Sequence, residues 1–152
     1  MVGRHCLAEY FSRDVVGNAA YGDLAQRMLA GSRLDSVADI GTGTGDLARA
    51  VCDVIRPDRM LLVDTSTAML AAARQKLAGH APYLRARTAA LCDLDARGAL
   101  DLVLAGHLIE HLPDPETGLH QLASLVKPGG TLVLAVSRPH WCQWFIWLRW
   151  RH

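Results

Sequence analysis

The sequence predicts one doubly wound α/β domain, with a mostly parallel sheet covered by helices on both faces. Three observations support this fold class. Short apolar runs alternate with stretches of helical spacing along most of the 152 residues. The runs are mostly continuous rather than alternately apolar and polar, which is typical of parallel strands buried on both faces. A glycine-rich stretch, GTGTG, directly follows the first run.

Five short runs bounded by turn or capping residues are the predicted strands. The third contains two arginines and is the least apolar. The five runs, in chain order, are Ser36–Ile40, Met60–Asp64, Tyr83–Ala89, Leu100–Ala105 and Thr131–Val136.

Helical spacing fills the connections between these strands. One helix follows the glycines and ends at Arg56-Pro57, and a second begins near Ser66 and ends at Gly79. In the second, the side chains predicted to face the core are Met69, Leu70, Ala73 and Leu77. Asp114 caps a third helix that has Pro115 at its first position. Asp23–Ala30 is a further helix ahead of the sheet.

Length and composition indicate an ordinary single globular domain. The chain is 51% hydrophobic and 20% charged, and its formal net charge is +1 from 16 basic and 15 acidic residues. This near-neutral balance argues against a nucleic-acid partner, which usually requires a basic face. The expected organisation is an N-terminal arm and helix over residues 1–34, a core over 35–137 and a Trp-rich segment of the same domain over 138–152.

The cysteines form neither a CxxC pair nor a set with metal-ligand spacing; they are Cys6, Cys52, Cys92 and Cys142. We therefore expect buried, reduced thiols in a cytoplasmic protein. The N-terminus lacks the apolar core of a signal peptide, and no run approaches the ~20 apolar residues of a membrane span.

The glycine stretch can be assigned to a ligand class by its spacing. A phosphate-binding P-loop requires GxxxxGK[ST], and no lysine follows these glycines. A dinucleotide loop requires GxGxxG, whereas Gly41, Gly43 and Gly45 form GxGxG. Asp39, two residues before the first glycine, would repel a pyrophosphate and attract a cation. The loop is therefore expected to bind a ligand with positive charge.

Two more acidic residues follow later strands. Asp64 ends the second strand at the spacing where a carboxylate accepts hydrogen bonds from ribose hydroxyls, although "DTS" is also compatible with a helix N-cap. Asp93 follows the third strand, where it could accept a hydrogen bond from an adenine amino group, and Asp95 could take the same role. Met69 has two interpretations: it lines the ligand pocket, or it is an ordinary core residue.

Five motifs together resemble the class I S-adenosylmethionine-dependent methyltransferases of the small-molecule type, a group that includes the ubiquinone and menaquinone biosynthesis enzymes. They are "VADIGTGTGDLA", "LLVDTSTAML", "LCDLD", "DLVLAGHLIEHLPDPE" and "LVKPGGTLVLAV". The resemblance runs from about residue 35 to 137 and implies a Rossmann-like fold, S-adenosylmethionine as methyl donor, and a small organic acceptor.

The resemblance also implies roles for individual residues. Asp39 would lie near the sulfonium and amino end of the donor, Asp64 would hold the ribose and Asp93 the adenine amino group. Gly41 and Gly43 would pass under the methionine moiety. The full implied donor-binding set is Asp39, Gly41, Thr42, Gly43, Gly45, Asp64, Thr65, Met69, Asp93, Leu94 and His107.

Two histidines, His107 and His111, follow the fourth strand and are the candidate catalytic bases, because imidazole titrates near neutral pH. Local packing or hydrogen bonding in "EHLPD" is the competing interpretation of His111. The segment lacks the (N/D)PP(Y/F) motif of enzymes that methylate adenine or glutamine amino groups, and no acidic cluster predicts a metal.

The C-terminal segment departs from the family pattern. A complete domain of this family ends in a hairpin of two further strands, so we expect a sheet truncated after the fifth strand, with a bare edge. Tryptophans spaced by three residues in "WCQWFIWLRW" are interpreted as an apolar helix. That helix could dock on the sheet edge or in a homodimer, begin an acceptor lid that is cut short, or contact a membrane surface.

Two functions other than methyl transfer remain open from the sequence. One is a truncated, catalytically silent domain that binds the donor or a protein partner. The other, a nicotinamide-dependent oxidoreductase, is disfavoured by the GxGxG spacing and by Asp39.

Overall fold

The computed structural model of the protein describes residues 6–13, 18–95, 97–137 and 143–150. The strands are β1 (Cys6–Arg13), β2 (Ser36–Ile40), β3 (Arg59–Asp64), β4 (Tyr83–Thr88), β5 (Leu100–Gly106), β6 (Val126–Ser137) and β7 (Gln143–Trp150). The helices are α1 (Asn18–Leu29), α2 (Asp46–Ile55), α3 (Thr67–Lys76) and α4 (Pro115–Leu125). The described strands form one sheet in the order β1-β7-β6-β5-β2-β3-β4.

The five predicted strands form the parallel part of this sheet. β6, β5, β2, β3 and β4 are paired in parallel throughout, with β2 at the centre. β2 has the predicted bounds and is buried along its whole length. β6 begins earlier than predicted, and its pairing with β5 shifts register between Leu100 and Leu102. The parallel core is confirmed.

Helices pack on both faces of the sheet, as a doubly wound fold requires. Helices α1, α2 and α3 bury side chains in one cluster, where they pack against alternate residues of the central strands, such as Leu62 and Leu104. Helix α4 packs in a second cluster with the intervening residues, such as Val63 and Ala105. This division follows from the alternation of side chains along each strand, and it confirms the predicted fold class.

The edge of the fifth parallel strand is not bare, and that prediction is wrong. β7 pairs antiparallel with β6 along Thr131–Ser137, and β1 pairs antiparallel with β7. The predicted Trp-rich helix is therefore also wrong over Gln143–Trp150, while Trp141 lies outside the described residues. A strand satisfies the free backbone groups along the edge of β6, and aromatic and β-branched side chains favour strands. The predicted membrane contact relied on an amphipathic helix and loses that basis.

Three smaller predictions are corrected. Helix α1 begins at Asn18, ahead of the predicted Asp23. On α3, Leu70 and Ala73 face the core as predicted, but Met69 is 43% exposed and is not a core residue. Cys52 is a buried free thiol as predicted, whereas Cys92 is a free thiol on the surface.

No helix in the described part of the chain has the length and apolar character that crossing a bilayer requires.

Candidate donor-binding site

The glycine loop lies at the carboxyl end of β2, between the ends of β3 and β5. The Gly41 and Thr42 N–H groups both donate to the Val63 carbonyl of β3, at 2.8 and 2.9 Å. Gly45 has φ 83°, and a Cβ there would lie 3.0–3.1 Å from side chains of α3. Gly43 has φ 53°, and a Cβ there would meet open space. The loop is therefore packed against α3 at one end and open toward solvent at its middle.

Asp39 lies beneath this loop with an incompletely satisfied carboxylate. Its side chain is 1% exposed, and its Oδ2 accepts a hydrogen bond from the Thr42 hydroxyl at 2.8 Å. Its Oδ1 is buried and has no hydrogen-bond partner among the described residues. Burial raises the pKa of Asp39 to about 7, against the lowering effect of the Thr42 hydrogen bond. A cation nearby would therefore stabilise this carboxylate.

Asp64 connects the glycine loop to the next helix. Its Oδ2 accepts the Gly43 N–H at 2.9 Å, and its Oδ1 accepts the Ser66 N–H at 2.8 Å. Ser66, not Asp64, caps α3, because its hydroxyl oxygen accepts the Met69 N–H. The alternative of Asp64 as the N-cap is therefore wrong. Each carboxylate oxygen can accept more than one hydrogen bond, so Asp64 keeps the capacity to accept from a ligand.

The other predicted donor-binding residues lie on segments that flank β3 and β4. Thr65 and Met69 are exposed beside Asp64. Asp93 ends a short 3-10 helix, Leu91–Asp93, and is exposed, while its backbone oxygen accepts from Arg87 Nη2 at 3.1 Å. Leu94 is half-buried and packs against the second core cluster. The structure thus arranges this part of the predicted set in one region at the carboxyl ends of β3 and β4.

His107 follows β5 in a strained conformation. Its φ is 55°, a value uncommon for residues other than glycine, and its N–H donates to the Ala135 carbonyl at 2.7 Å. Its ring Nδ1 lies 3.1 Å from Glu110 Oε1. His111 is exposed and ends a 3-10 helix, Ile109–His111. Strain of this kind is often found at functional sites.

Two contributors to the site were not predicted from the sequence. Leu108 lies against Gly41, so that a Cβ at Gly41 would be 3.0 Å from its Cδ1, and this contact joins the segment after β5 to the glycine loop. Glu110 is an ion-pair partner of His107, and the only sign of this pairing in the sequence is the three-residue spacing between them. In the part of the chain that the structure describes, His, Cys, Asp and Glu side chains form no group that could hold a metal ion.

The chain is similar to known proteins of one family. A family model described as a methyltransferase domain matches residues 38–132. The ubiquinone biosynthesis O-methyltransferase of Azotobacter vinelandii is 35% identical over 104 residues, which are 67% of this chain and 43% of that protein. The ubiquinone/menaquinone biosynthesis C-methyltransferase of Francisella tularensis subsp. novicida is 30% identical over 112 residues, which are 69% of this chain and 44% of that protein.

Among solved structures, the N-methyltransferase NodS of Bradyrhizobium japonicum in complex with S-adenosyl-L-homocysteine is similar, with a TM-score of 0.73. The match has 12% sequence identity and covers 88% of this chain and 87% of NodS, so it supports the fold alone. The chain spans less than half the length of the two curated relatives above. Because the family model covers well over half of the chain, the protein belongs to the methyltransferase domain family.

Proposed function

We propose that the protein binds S-adenosylmethionine at the glycine loop and transfers its methyl group to a small organic acceptor. The observation that carries this proposal is the pair of carboxylates bonded to the loop itself, Asp39 through Thr42 and Asp64 through Gly43. Two carboxylates at this position disfavour a pyrophosphate and favour a ligand with a sulfonium and an ammonium group. The family membership supports the same donor.

The residues present fit this donor. The space above Gly43 is open, and the buried Oδ1 of Asp39 lacks a partner, so a cation beside the loop would offset the cost of burying that charge. Asp64 would accept hydrogen bonds from the ribose hydroxyls while it holds the loop through Gly43. Met69 is exposed next to this position, which supports its proposed contact with the adenine. For Asp93, Leu94 and Thr65 the adenine-side role is likewise a proposal.

The donor supplies a methyl group already activated on sulfur, so the main task of the protein is to bring acceptor and methyl together in the right orientation. An acceptor that must lose a proton also needs a base, and we assign this role to His107. The ring Nδ1 of His107 lies 3.1 Å from Glu110 Oε1, so a carboxylate lies beside the imidazole that would take the proton. Glu110 would then orient the ring and stabilise the imidazolium. His111, which is exposed, is the second candidate base.

The class of acceptor rests on the relatives. The two curated relatives are named for quinone biosynthesis, one as an O-methyltransferase and one as a C-methyltransferase, so a small organic molecule is the proposed acceptor. This proposal has three further parts that come from the sequence. They are a cytoplasmic location, methyl transfer without nucleic-acid binding, and a homodimer.

Isothermal titration calorimetry of the purified protein tests donor binding. S-adenosylhomocysteine is expected to bind, and NAD at the same concentration is not. Binding of NAD with equal affinity, or of neither ligand to a folded chain, would overturn the assignment.

A further inference from the structure

A second cleft lies on the sheet away from the glycine loop. It has a volume of about 720 Å³, within the usual range of small-molecule sites, and it opens over the amino-terminal halves of β2 to β5. Its lining includes Ser36, Arg59, Leu61, Tyr83, Arg85 and Arg87. We refer to it as the arginine groove.

The groove exists because one connection of the sheet has no α-helix among its described residues. The links from β2 to β3, from β3 to β4 and from β5 to β6 each contain one, namely α2, α3 and α4. Between β4 and β5 the described residues form only the 3-10 helix Leu91–Asp93. Helix α4 covers β5 and β6 on this face, and no described helix covers β3 and β4 beside it.

Strand register brings the polar side chains of the groove together. β3 and β4 pair Arg59 with Tyr83 and Leu61 with Arg85. Alternate residues of a strand point to the same face, so Tyr83, Arg85 and Arg87 share the face opposite to that of Leu84 and Ala86, which pack under α3. Neighbouring strands are about 4.8 Å apart and alternate residues roughly 6.6 Å apart, distances that one small ligand can span.

The positive charge of the groove is not neutralised within the described residues. Carboxylates pair with Arg27, Arg49 and Lys127 elsewhere, but none pairs with Arg59, Arg85 or Arg87. Arg87 donates to the backbone oxygen of Asp93, an uncharged acceptor. The carboxylate of Asp101, which bonds to the groove residue Ser36, is already paired with Lys127.

We propose that the arginine groove binds a small phosphorylated molecule with an aromatic or apolar body. The planar guanidinium groups of Arg59 and Arg85 match the oxygen geometry of a phosphate, and the third arginine adds charge that favours a dianion over a carboxylate. The apolar floor at Leu61 and the ring of Tyr83, which is 69% exposed, would contact the body of the ligand. Arg59, Tyr83 and Arg85 lie toward the amino ends of β3 and β4, away from the proposed donor site, while Arg87 lies between the two sites and contacts the backbone of Asp93.

Titration of the whole chain with phenyl phosphate, phenol and inorganic phosphate tests this assignment. Phenyl phosphate is expected to bind more tightly than either fragment. Arg85→Gln and, on the neighbouring strand, Arg59→Gln should each weaken it by about 10-fold or more. Tyr83→Ala should reduce its affinity toward that of inorganic phosphate.

Arg74→Gln is the matched control, because Arg74 is an exposed arginine on α3, across the sheet from the groove. Its affinity for phenyl phosphate should equal that of the unaltered protein. The proposal is overturned if phenyl phosphate does not bind at concentrations up to about 10 mM. It is also overturned if Arg74→Gln weakens binding as much as Arg85→Gln does, or if phenol binds as tightly as phenyl phosphate.

Discussion

Two buried aspartates on neighbouring central strands have opposite environments. Asp101 is the second residue of β5 and is 8% exposed. Its carboxylate accepts hydrogen bonds from the Ser36 N–H at 2.9 Å and from the Ser36 hydroxyl at 2.6 Å, and it also pairs with Lys127. Asp39, near the end of β2, accepts a hydrogen bond from the Thr42 hydroxyl, and the Ala48 backbone N–H also lowers its pKa, but its Oδ1 has no partner within hydrogen-bond distance among the described residues. Burial raises the pKa of both carboxyls. The hydrogen bonds from Lys127 and Ser36 nevertheless leave the pKa of Asp101 below its usual value, whereas the pKa of Asp39 is about 7. The fold thus satisfies the Asp101 carboxylate and leaves one oxygen of Asp39 without a partner among the described residues, which makes Asp39 the candidate for contact with a cationic ligand.

The largest effect is expected from Asp101→Ala. The substitution leaves the buried Ser36 N–H without its acceptor and the Ser36 hydroxyl with only the Ala99 carbonyl at 3.4 Å, which should lower the free energy of unfolding by about 2–5 kcal/mol. Chemical denaturation measures this change. Asp53→Ala is the control, because Asp53 is an exposed partner of Arg49 and should cost no more than about 1 kcal/mol. If both variants lose the same stability, Asp101 has no special structural role.

Asp39→Asn should have the opposite effect on stability. Because the pKa is raised, the folded state holds a proton that the unfolded state releases. The contribution of Asp39 to the free energy of unfolding is therefore fully present below about pH 4 and is lost as the pH rises to about 7. Above pH 7 the variant should therefore be more stable than the unaltered protein, by roughly 2–4 kcal/mol. Unfolding measured at pH 5 and pH 8 tests this. A variant that is less stable at pH 8 would show that the Asp39 carboxylate is satisfied in the folded protein.

A smaller effect, seen mainly in ligand affinity, is expected from Asp64→Ala. Loss of charge-assisted hydrogen bonds to the ribose should weaken S-adenosylhomocysteine by about 10- to 100-fold, or roughly 1.5–3 kcal/mol. Asp64 also holds the loop through Gly43, so the unfolding free energy of each variant should be measured beside its affinity. Unchanged affinity in the folded variant would leave Asp64 with a structural role only.

The parallel core could be predicted from the sequence because its signals are local. The buried run Ser36–Ile40 is β2, and the Asp114 side chain caps α4 by accepting from the Glu116 and Thr117 N–H groups, as "DPET" predicts. The pairing of β7 with β6 could not be predicted in this way. The two strands are neighbours along the chain, with Ser137 paired to Gln143, but a short aromatic run is compatible with either a helix or a strand.

The sequence singles out the residue types of a candidate site, which stay a prediction, but it does not give the electrostatics around them. Spacing identified the glycines and the three strand-end aspartates, yet no pattern shows that Asp39 Oδ1 lacks a partner, that His107 has a positive φ, or that Leu108 lies on Gly41. These features depend on how β2, β5 and their loops pack together. The arginine groove likewise depends on strand register and on the helix missing between β4 and β5.

The most direct test of the central claim is the pH dependence of S-adenosylhomocysteine affinity in the unaltered protein and in Asp39→Asn. In the ligand-free protein the carboxyl of Asp39 has a pKa of about 7. The ammonium group of S-adenosylhomocysteine favours the ionised form of that carboxyl. The account therefore predicts that affinity rises between pH 6 and pH 8 in the unaltered protein, and that this rise is absent or much smaller in the variant, where the other titrating groups are unchanged. Equal pH dependence in the two proteins would contradict the claim that the carboxylate of Asp39 is available to a cationic donor.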